Sequence, residues 1–191
     1  MVVGARRRAT RRAFFRGAGI TFVAGASGYV AACGDDDGAT VTKTGPADVD
    51  VLNSLLDLEY TAVAAYRAGA PLLRGEELAS ARRFLEQEQA HADAILRALR
   101  KIGGTPIKPK TKYDFPTLSD RTDFLSFASD LENTTIAAYV DSLPKLTDRS
   151  LRGTAAAIVT TEAEHLSVIR TALGGTEAPS PFVTGQASDD A

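Results

Sequence analysis

Two short stretches decide the fold of this 191-residue chain: residues 88–91 read EQAH, and residues 162–165 read EAEH. They contain the only two histidines of the sequence, and each histidine follows a glutamate by three positions. On a helix, positions i and i+3 lie on one face about a turn apart, so both side chains can reach one metal ion. Bundles with dinuclear carboxylate sites combine two such pairs with one glutamate from each of two further helices. The sequence must therefore supply two more glutamates.

An internal repeat supplies both of them. Residues 57–66 (DLEYTAVAAY) align without gaps on residues 130–139 (DLENTTIAAY), with seven of ten positions identical. Each copy contains one glutamate, Glu59 or Glu132, which precedes the glutamate of the next Glu-x-x-His pair by 29 or 30 residues. The chain is therefore predicted to use one α-hairpin twice.

Helical spacing of apolar residues predicts four helices, over 48–69, 76–102, 120–142 and 148–173. Short breaks within each half make each hairpin antiparallel. The segment 104–119 contains three prolines and has no helical period. When extended it spans about 50 Å, against about 40 Å for the second helix. We therefore predict an all-α four-helix bundle of two repeated α-hairpins, with a long crossover between helices 2 and 3.

The lone glutamates lie within the inward apolar stripes of their helices. A carboxylate is rarely buried without a partner, because loss of its hydration costs several kcal/mol. Since the hairpin turns lie midway between the paired positions, each lone glutamate is expected at the same height as its Glu-x-x-His pair. Four carboxylates would balance the charge of two divalent ions. The predicted ligands are Glu59, Glu88, His91, Glu132, Glu162 and His165.

This arrangement resembles the ferritin-like superfamily, whose members include rubrerythrins, bacterioferritins and manganese catalases. The resemblance covers residues 48–174 and matches all six ligand positions. It implies two iron ions, with manganese as the second choice, because carboxylate and imidazole suit both metals. It also implies that two glutamates bridge the ions, either Glu88 with Glu132 or Glu59 with Glu162, and that each histidine is a terminal ligand.

Departures from named members narrow the expected function. The single cysteine excludes a four-cysteine rubredoxin module, so a peroxidase would need a separate electron donor. The only methionine is Met1, which argues against a methionine-bound haem. We expect a di-iron oxidoreductase that acts on peroxide, dioxygen or ferrous iron. The alternatives are a protein similar to manganese catalases, and a non-catalytic envelope or stress-related bundle with structural or no metal. A homodimer is a further expectation.

Four other side chains are candidates for supporting the ligands. Tyr66 and Tyr139 lie two turns beyond the lone glutamates, either as core tyrosines or as redox or hydrogen-bonding neighbours of the site. Asp57 and Asp130 can orient the histidines, or they can be surface acids.

Residues 1–33 have the character of an export signal. Residues 10–16 (TRRAFFR) resemble a twin-arginine motif, and an uncharged stretch follows it. Residues 30–33 (VAAC) resemble a lipobox, so we expect Cys33 to be lipidated. The protein would then be exported and anchored on the outer face of the cytoplasmic membrane. A buried thiol and an uncleaved anchor are the alternatives.

The remaining segments are polar. Residues 34–47 (GDDDGATVTKTGPA) are expected to be a flexible linker. Residues 175–191 form a tail, in which 181–183 (PFV) are expected to dock on the bundle. Without residues 1–33 the chain keeps 16 of 22 bases against 24 acids, a formal charge of −8. Nucleic-acid binding is therefore not expected, since it depends on clustered bases.

Overall fold

The computed structural model describes residues 46–186, so the predicted export signal, Cys33 and most of the predicted linker lie outside the described residues. The described part contains four α-helices and a short 3₁₀ turn at Ala70–Leu72. The helices are α1 (Pro46–Gly69), α2 (Gly75–Lys101), α3 (Arg121–Ser142) and α4 (Arg149–Ala172). The prediction of an all-α four-helix bundle is confirmed. The first helix begins two residues earlier than predicted, inside the expected linker.

Aspartates set the starts of α3 and α4. The Asp120 carboxylate accepts a hydrogen bond from the backbone N–H of Asp123 at 3.0 Å. Asp148 likewise accepts from the backbone N–H groups of Ser150 and Leu151, at 2.6 and 3.2 Å. Both aspartates satisfy N–H groups that have no partner within the first helical turn. The predicted first residues of these helices are therefore their N-caps.

Contacts at the helix ends fix the directions of the helices. Gly69, at the end of α1, lies directly against the Phe124 ring at the start of α3. At the other end of the bundle, the buried Asp48 accepts from the Thr147 backbone N–H at 2.8 Å and from its hydroxyl at 2.5 Å. Helix α1 is therefore antiparallel to α3. Because α1 and α2 are joined by a short turn, α2 and α3 run parallel, as the long crossover predicts.

The crossover follows the surface of α1. The Asn53 side chain donates to Thr105 O at 3.1 Å and accepts from Ile107 N at 2.9 Å. One turn further along α1, Lys110 pairs with Asp57 at 2.8 Å. These contacts hold a segment without regular structure against the bundle, so it spans the distance between α2 and α3.

The apolar core consists of two main clusters, one toward each end of the bundle. Leu55, Leu56 and Ile95 belong to the first, and Tyr66 and Phe124 to the second. The buried polar residues of the Glu-x-x-His pairs and the repeat lie between these clusters in each helix. The apolar ends therefore exclude water from a polar middle section.

The tail meets the bundle at a different point from the one predicted. Phe182 is 75% exposed, so residues 181–183 do not dock through this ring. Gly185 instead lies against α3, where an added Cβ would come within 2.2 Å of Asn133 O. Its positive φ of 72° also favours glycine.

None of the helices within residues 46–186 combines the length and apolarity needed to cross a membrane.

Candidate metal centre

All six predicted ligands meet in the middle of the bundle. One group joins Glu59, His91 and two further glutamates, and a second group joins Glu132, His165 and the same two glutamates. Within each group one ligand atom from every residue lies within 4.8 Å of the others. Five of the six residues are at most 1% exposed, and His91 is 9% exposed. Each group is able to hold one metal ion.

Glu88 and Glu162 are the two carboxylates that belong to both groups. The Glu162 oxygens lie 2.8 Å from His91 Nδ1 and 3.2 Å from His165 Nδ1. The Glu88 oxygens lie 3.5 and 3.1 Å from the same two nitrogens. Both predicted bridging pairs therefore differ from the observed sharing. The shared glutamates are those of the Glu-x-x-His motifs, because α2 and α4 face each other across the centre.

The other two glutamates each serve one side. A Glu59 oxygen lies 3.6 Å from His91 Nδ1, and a Glu132 oxygen lies 3.5 Å from His165 Nδ1. Glu59 comes from the first copy of the repeat and Glu132 from the second. The centre thus has an approximate twofold symmetry that follows from the repeat in the sequence.

The atoms that face one another are those that a metal would need. Within the described residues, eight buried ligand atoms of these six side chains have no hydrogen-bond partner outside the centre, and their close neighbours are one another. They are both oxygens of Glu88 and Glu162, one oxygen each of Glu59 and Glu132, and Nδ1 of both histidines. A buried polar atom without a partner costs about 1–3 kcal/mol, and more when it is charged. The residues present therefore fit a pair of metal ions.

Two tyrosines contact the one-sided glutamates, and each does so across the repeat. The Tyr66 hydroxyl donates to Glu132 Oε1, and the Tyr139 hydroxyl donates to Glu59 Oε1. Each carboxylate therefore has one oxygen held by a tyrosine and one without a hydrogen bond. In Glu132 the oxygen held by Tyr66 is also the one that lies 3.5 Å from His165 Nδ1. The prediction that these tyrosines are hydrogen-bonding neighbours agrees with this geometry.

The two predicted aspartates do not contact the histidines. Asp57 pairs with Lys110 of the crossover at 2.8 Å. Asp130 is exposed on the surface of α3. Both positions lie two residues before a lone glutamate, which turns them away from the inward face of the helix. The alternative that they are surface acids is the one that fits the structure.

Gln87 and Phe84 support His165 instead, and the sequence reasoning missed both. His165 Nε2 donates to Gln87 Oε1 at 3.0 Å, which leaves Nδ1 as the nitrogen that can bind metal. The Phe84 ring lies 4.1 Å from the imidazole, between ring centroids. Both residues lie on the inward side of α2, one and four positions before Glu88. A search for polar residues adjacent to the motif would have found Gln87.

The histidines of the metal-free protein bind protons tightly. Burial alone would lower the pKa of His91, but hydrogen bonds to Glu162, Glu59 and Glu88 raise its pKa to about 12. Burial also opposes protonation of His165, whose hydrogen bonds to surrounding glutamates raise its pKa to about 11. Without metal, both imidazoles are therefore charged at neutral pH.

The carboxylates differ among themselves. Burial, together with the charges of neighbouring glutamates, raises the pKa of Glu59 and of Glu132 well above the usual range. Burial acts in the same direction on Glu162, but hydrogen bonds from His165 and His91 lower its pKa to about 2. The metal-free centre is thus stabilised by protons where a metal-bound centre would have cations.

Solved structures share this architecture. A conserved hypothetical protein from Mycobacterium tuberculosis matches with a TM-score of 0.64 and 20% identity, over 67% of this chain and 98% of the other. A dodecameric thioferritin, the bacterioferritin-related protein from Bacteroides fragilis, matches with a TM-score of 0.61 and 25% identity, over 66% and 83%. No protein with a curated description gives a significant match.

The model of the ferritin-like domain family matches residues 47–175, which include all six side chains of the centre and the four helices except Pro46. The chain therefore belongs to the ferritin-like domain family.

Proposed function

We propose that this protein binds two divalent transition-metal ions and uses them for redox chemistry on peroxide or dioxygen, or for the oxidation of ferrous iron. The observation that carries this proposal is the set of eight buried ligand atoms that face one another and have no partner outside the centre. Six of these atoms are carboxylate oxygens, and such a set at the centre of an apolar bundle favours bound cations.

The donor set favours iron, with manganese second. Four carboxylates balance the charge of two divalent ions, and each ion would have one neutral imidazole. Oxygen and imidazole donors suit Fe and Mn, and no cysteine lies within residues 46–186 to favour a thiolate site. Glu88 and Glu162 would bridge the ions, while Glu59 and Glu132 would each bind one of them.

Two adjacent redox ions supply a two-electron couple that can act on one dioxygen or peroxide molecule. The surrounding side chains set the conditions for it. Tyr66 and Tyr139 each hold one oxygen of Glu132 and Glu59, which restricts the rotation of these carboxylates. Gln87 orients the His165 ring. The apolar clusters at both ends limit the access of water.

Metal analysis of the purified protein tests the proposal. We expect two Fe or Mn per chain, and a change in the absorption spectrum on addition of peroxide. A peroxidase would need added reductant for turnover, whereas a protein similar to manganese catalases would disproportionate peroxide without any. A folded protein that retains no metal after loading under anaerobic conditions would contradict the proposal.

A second candidate is a non-catalytic bundle, and one observation favours it. The His91 and Glu162 side chains already approach to 2.8 Å, so protons can stabilise the centre in place of metal. Such a protein would serve an envelope or stress-related role. It would show the same thermal stability with and without added metal ions, and no reaction with peroxide.

The cellular location is part of the proposal and is supported by the sequence alone. The motifs within residues 10–16 and 30–33 suggest export and lipidation of Cys33, and therefore a lipid anchor on the outer face of the cytoplasmic membrane. Mass spectrometry of the mature N-terminus would test this. A Cys33→Ser variant should lose the lipid and be released from membranes.

Self-association is also proposed. The bacterioferritin-related protein from Bacteroides fragilis is a dodecamer, and the predicted homodimer is compatible with self-association of this kind. Light scattering of the purified protein would give the oligomeric state.

A further inference from the structure

An apolar cleft opens beside the centre, between α2 and α4. Its volume is about 290 Å³. Ala81 and Phe84 of α2 and Ile169 of α4 form its walls, and Tyr66 and Ala128 contribute from α1 and α3. Cavities of roughly this size hold small organic molecules in other proteins. The cleft is therefore large enough for a ligand of two or three aromatic rings.

The repeat provides an internal comparison for this cleft. A second cavity, of only about 10 Å³, is lined by nine residues of the opposite half of the bundle. When these positions are shifted by the repeat offset of 73 or 74 residues, all nine fall on residues that line the cleft. The two cavities therefore occupy equivalent positions at the two ends of the bundle. The arrangement of the helices alone does not produce the cleft, because side chains fill the equivalent position at the other end of the bundle.

Four of the nine equivalent positions carry different residues. Three of the differences open the cleft, whereas the fourth, Phe84 in place of Ile158, adds volume to its wall. Leu55 lines the small cavity, and its equivalent in the cleft is Ala128. Thr154 has Ser80 as its equivalent at the cleft. Leu151 corresponds to Glu77, whose carboxylate is turned to Arg121 at 2.8 Å. The substitution of leucine by alanine alone removes three carbon atoms from the wall. The 10 Å³ cavity is at the lower limit for one water molecule.

The inner wall of the cleft touches residues that support the centre. Tyr66 donates its hydroxyl to Glu132, and Phe84 packs against the His165 ring at 4.1 Å. The ring of Tyr66 meets the rings of Phe84 and Phe124 edge-on, each at 5.9 Å. A molecule in the cleft would therefore contact aromatic side chains that themselves contact two of the six ligands.

We propose that this cleft binds a small, uncharged apolar molecule, preferably an aromatic one. The aromatic walls favour ring stacking and edge contacts. Glu76 and Glu77 lie at the mouth, and Arg121 offsets only the charge of Glu77, so an anionic ligand is disfavoured. Binding does not require metal. Only an influence of the bound molecule on the redox centre rests on the proposed function.

Fluorescence titration of the full chain with N-phenyl-1-naphthylamine tests the proposal, because this uncharged probe becomes bright in apolar surroundings. An Ala128→Leu variant introduces the residue found at the equivalent position of the small cavity, Leu55, and should weaken binding of the probe at least tenfold. Ser126→Leu adds the same side chain at an exposed position of α3 and should leave binding unchanged. Anilinonaphthalene sulfonate, which adds a negative charge to the same ring system, should bind at least tenfold more weakly.

A second variant covers the case in which Ala128→Leu fails to fold, as judged by circular dichroism. Ser80 is half-buried at the mouth of the cleft, so Ser80→Phe should narrow the mouth and also lower the affinity for the probe at least tenfold. Unchanged affinity in whichever of these variants is folded would overturn the proposal, as would equal affinity for both probes. Titration of metal-free and metal-loaded protein distinguishes binding in the cleft from the proposed metal-dependent function. If the protein binds the probe but no metal, only the proposed function is contradicted.

Discussion

Replacement of a shared glutamate and of a one-sided glutamate should have different effects on metal stoichiometry. Glu162→Gln keeps the size of the side chain and removes its charge. Because the Glu162 oxygens lie 2.8 and 3.2 Å from the two Nδ1 atoms, both ions would lose a ligand. Glu59→Gln affects one ion only, since Glu59 belongs to one of the two groups. We expect about one tightly bound ion per chain for Glu59→Gln and none for Glu162→Gln.

The magnitude follows from charge and ligand count. Loss of an outer hydrogen-bonding partner typically lowers metal affinity about 10–100-fold, and loss of a direct ligand should exceed this. In Glu162→Gln, three carboxylates would face two divalent ions, which leaves an excess positive charge in a buried site. We therefore expect the affinity of both ions to fall by more than about 100-fold, beyond retention on a desalting column.

The assay is elemental analysis after anaerobic loading with Fe(II) or Mn(II) and desalting. Glu164→Gln is the matched control, because Glu164 is exposed on the same helix and should keep two ions. Circular dichroism establishes that each variant is folded. Retention of two ions by Glu162→Gln, or loss of both by Glu59→Gln with an intact fold, would refute the shared and one-sided roles.

Three further predictions address protons, outer contacts and stability. Because the pKa values of His91 and His165 are raised to about 12 and about 11, both are protonated in the metal-free protein at neutral pH. Metal binding should therefore release at least two protons per chain, and metal affinity should rise with pH. Calorimetry in buffers of different ionisation heat measures the proton release, and a pH-independent metal affinity would contradict the prediction. Tyr139→Phe should keep two ions but weaken one of them about 10–100-fold in competition with a chelator, since one glutamate loses its outer partner. Asp48→Ala should lower the free energy of unfolding by about 2–3 kcal/mol, because the Thr147 backbone N–H and hydroxyl lose their buried acceptor at the end of the bundle. Exposed Asp50→Ala is its control in urea denaturation, and equal effects of the two would argue against this role.

The repeat made the ligands predictable. Equal spacing along two hairpins fixes the height of each glutamate in the bundle, so Glu59 and Glu132 could be placed opposite the histidine pairs from the sequence. Helical periodicity similarly gave the bounds of all four helices to within two residues. Both the repeat spacing and the helical spacing of apolar residues are periodic, and such patterns can be recognised in a sequence without knowledge of the tertiary contacts.

Contacts across helices were harder to predict. Which glutamates are shared depends on the rotation of each helix about its axis, and the sequence gives the height of a side chain but not its lateral neighbour. Asp57 is held by Lys110, which lies on a crossover without any regular pattern. Gln87 contacts a residue on another helix, 78 positions away. Residues 181–183 looked like an apolar anchor, yet the close approach is made by Gly185, where the backbone itself is the contact surface.

The crossed tyrosine contacts make the two halves interdependent. Each hairpin contributes a tyrosine hydroxyl that donates to a glutamate of the other hairpin, so neither hairpin completes its own binding site. An isolated hairpin of this design would need a second copy of itself to restore both contacts. The duplicated sequence is what a fused pair of such units would leave behind, and it links the assembly of one half to the presence of the other.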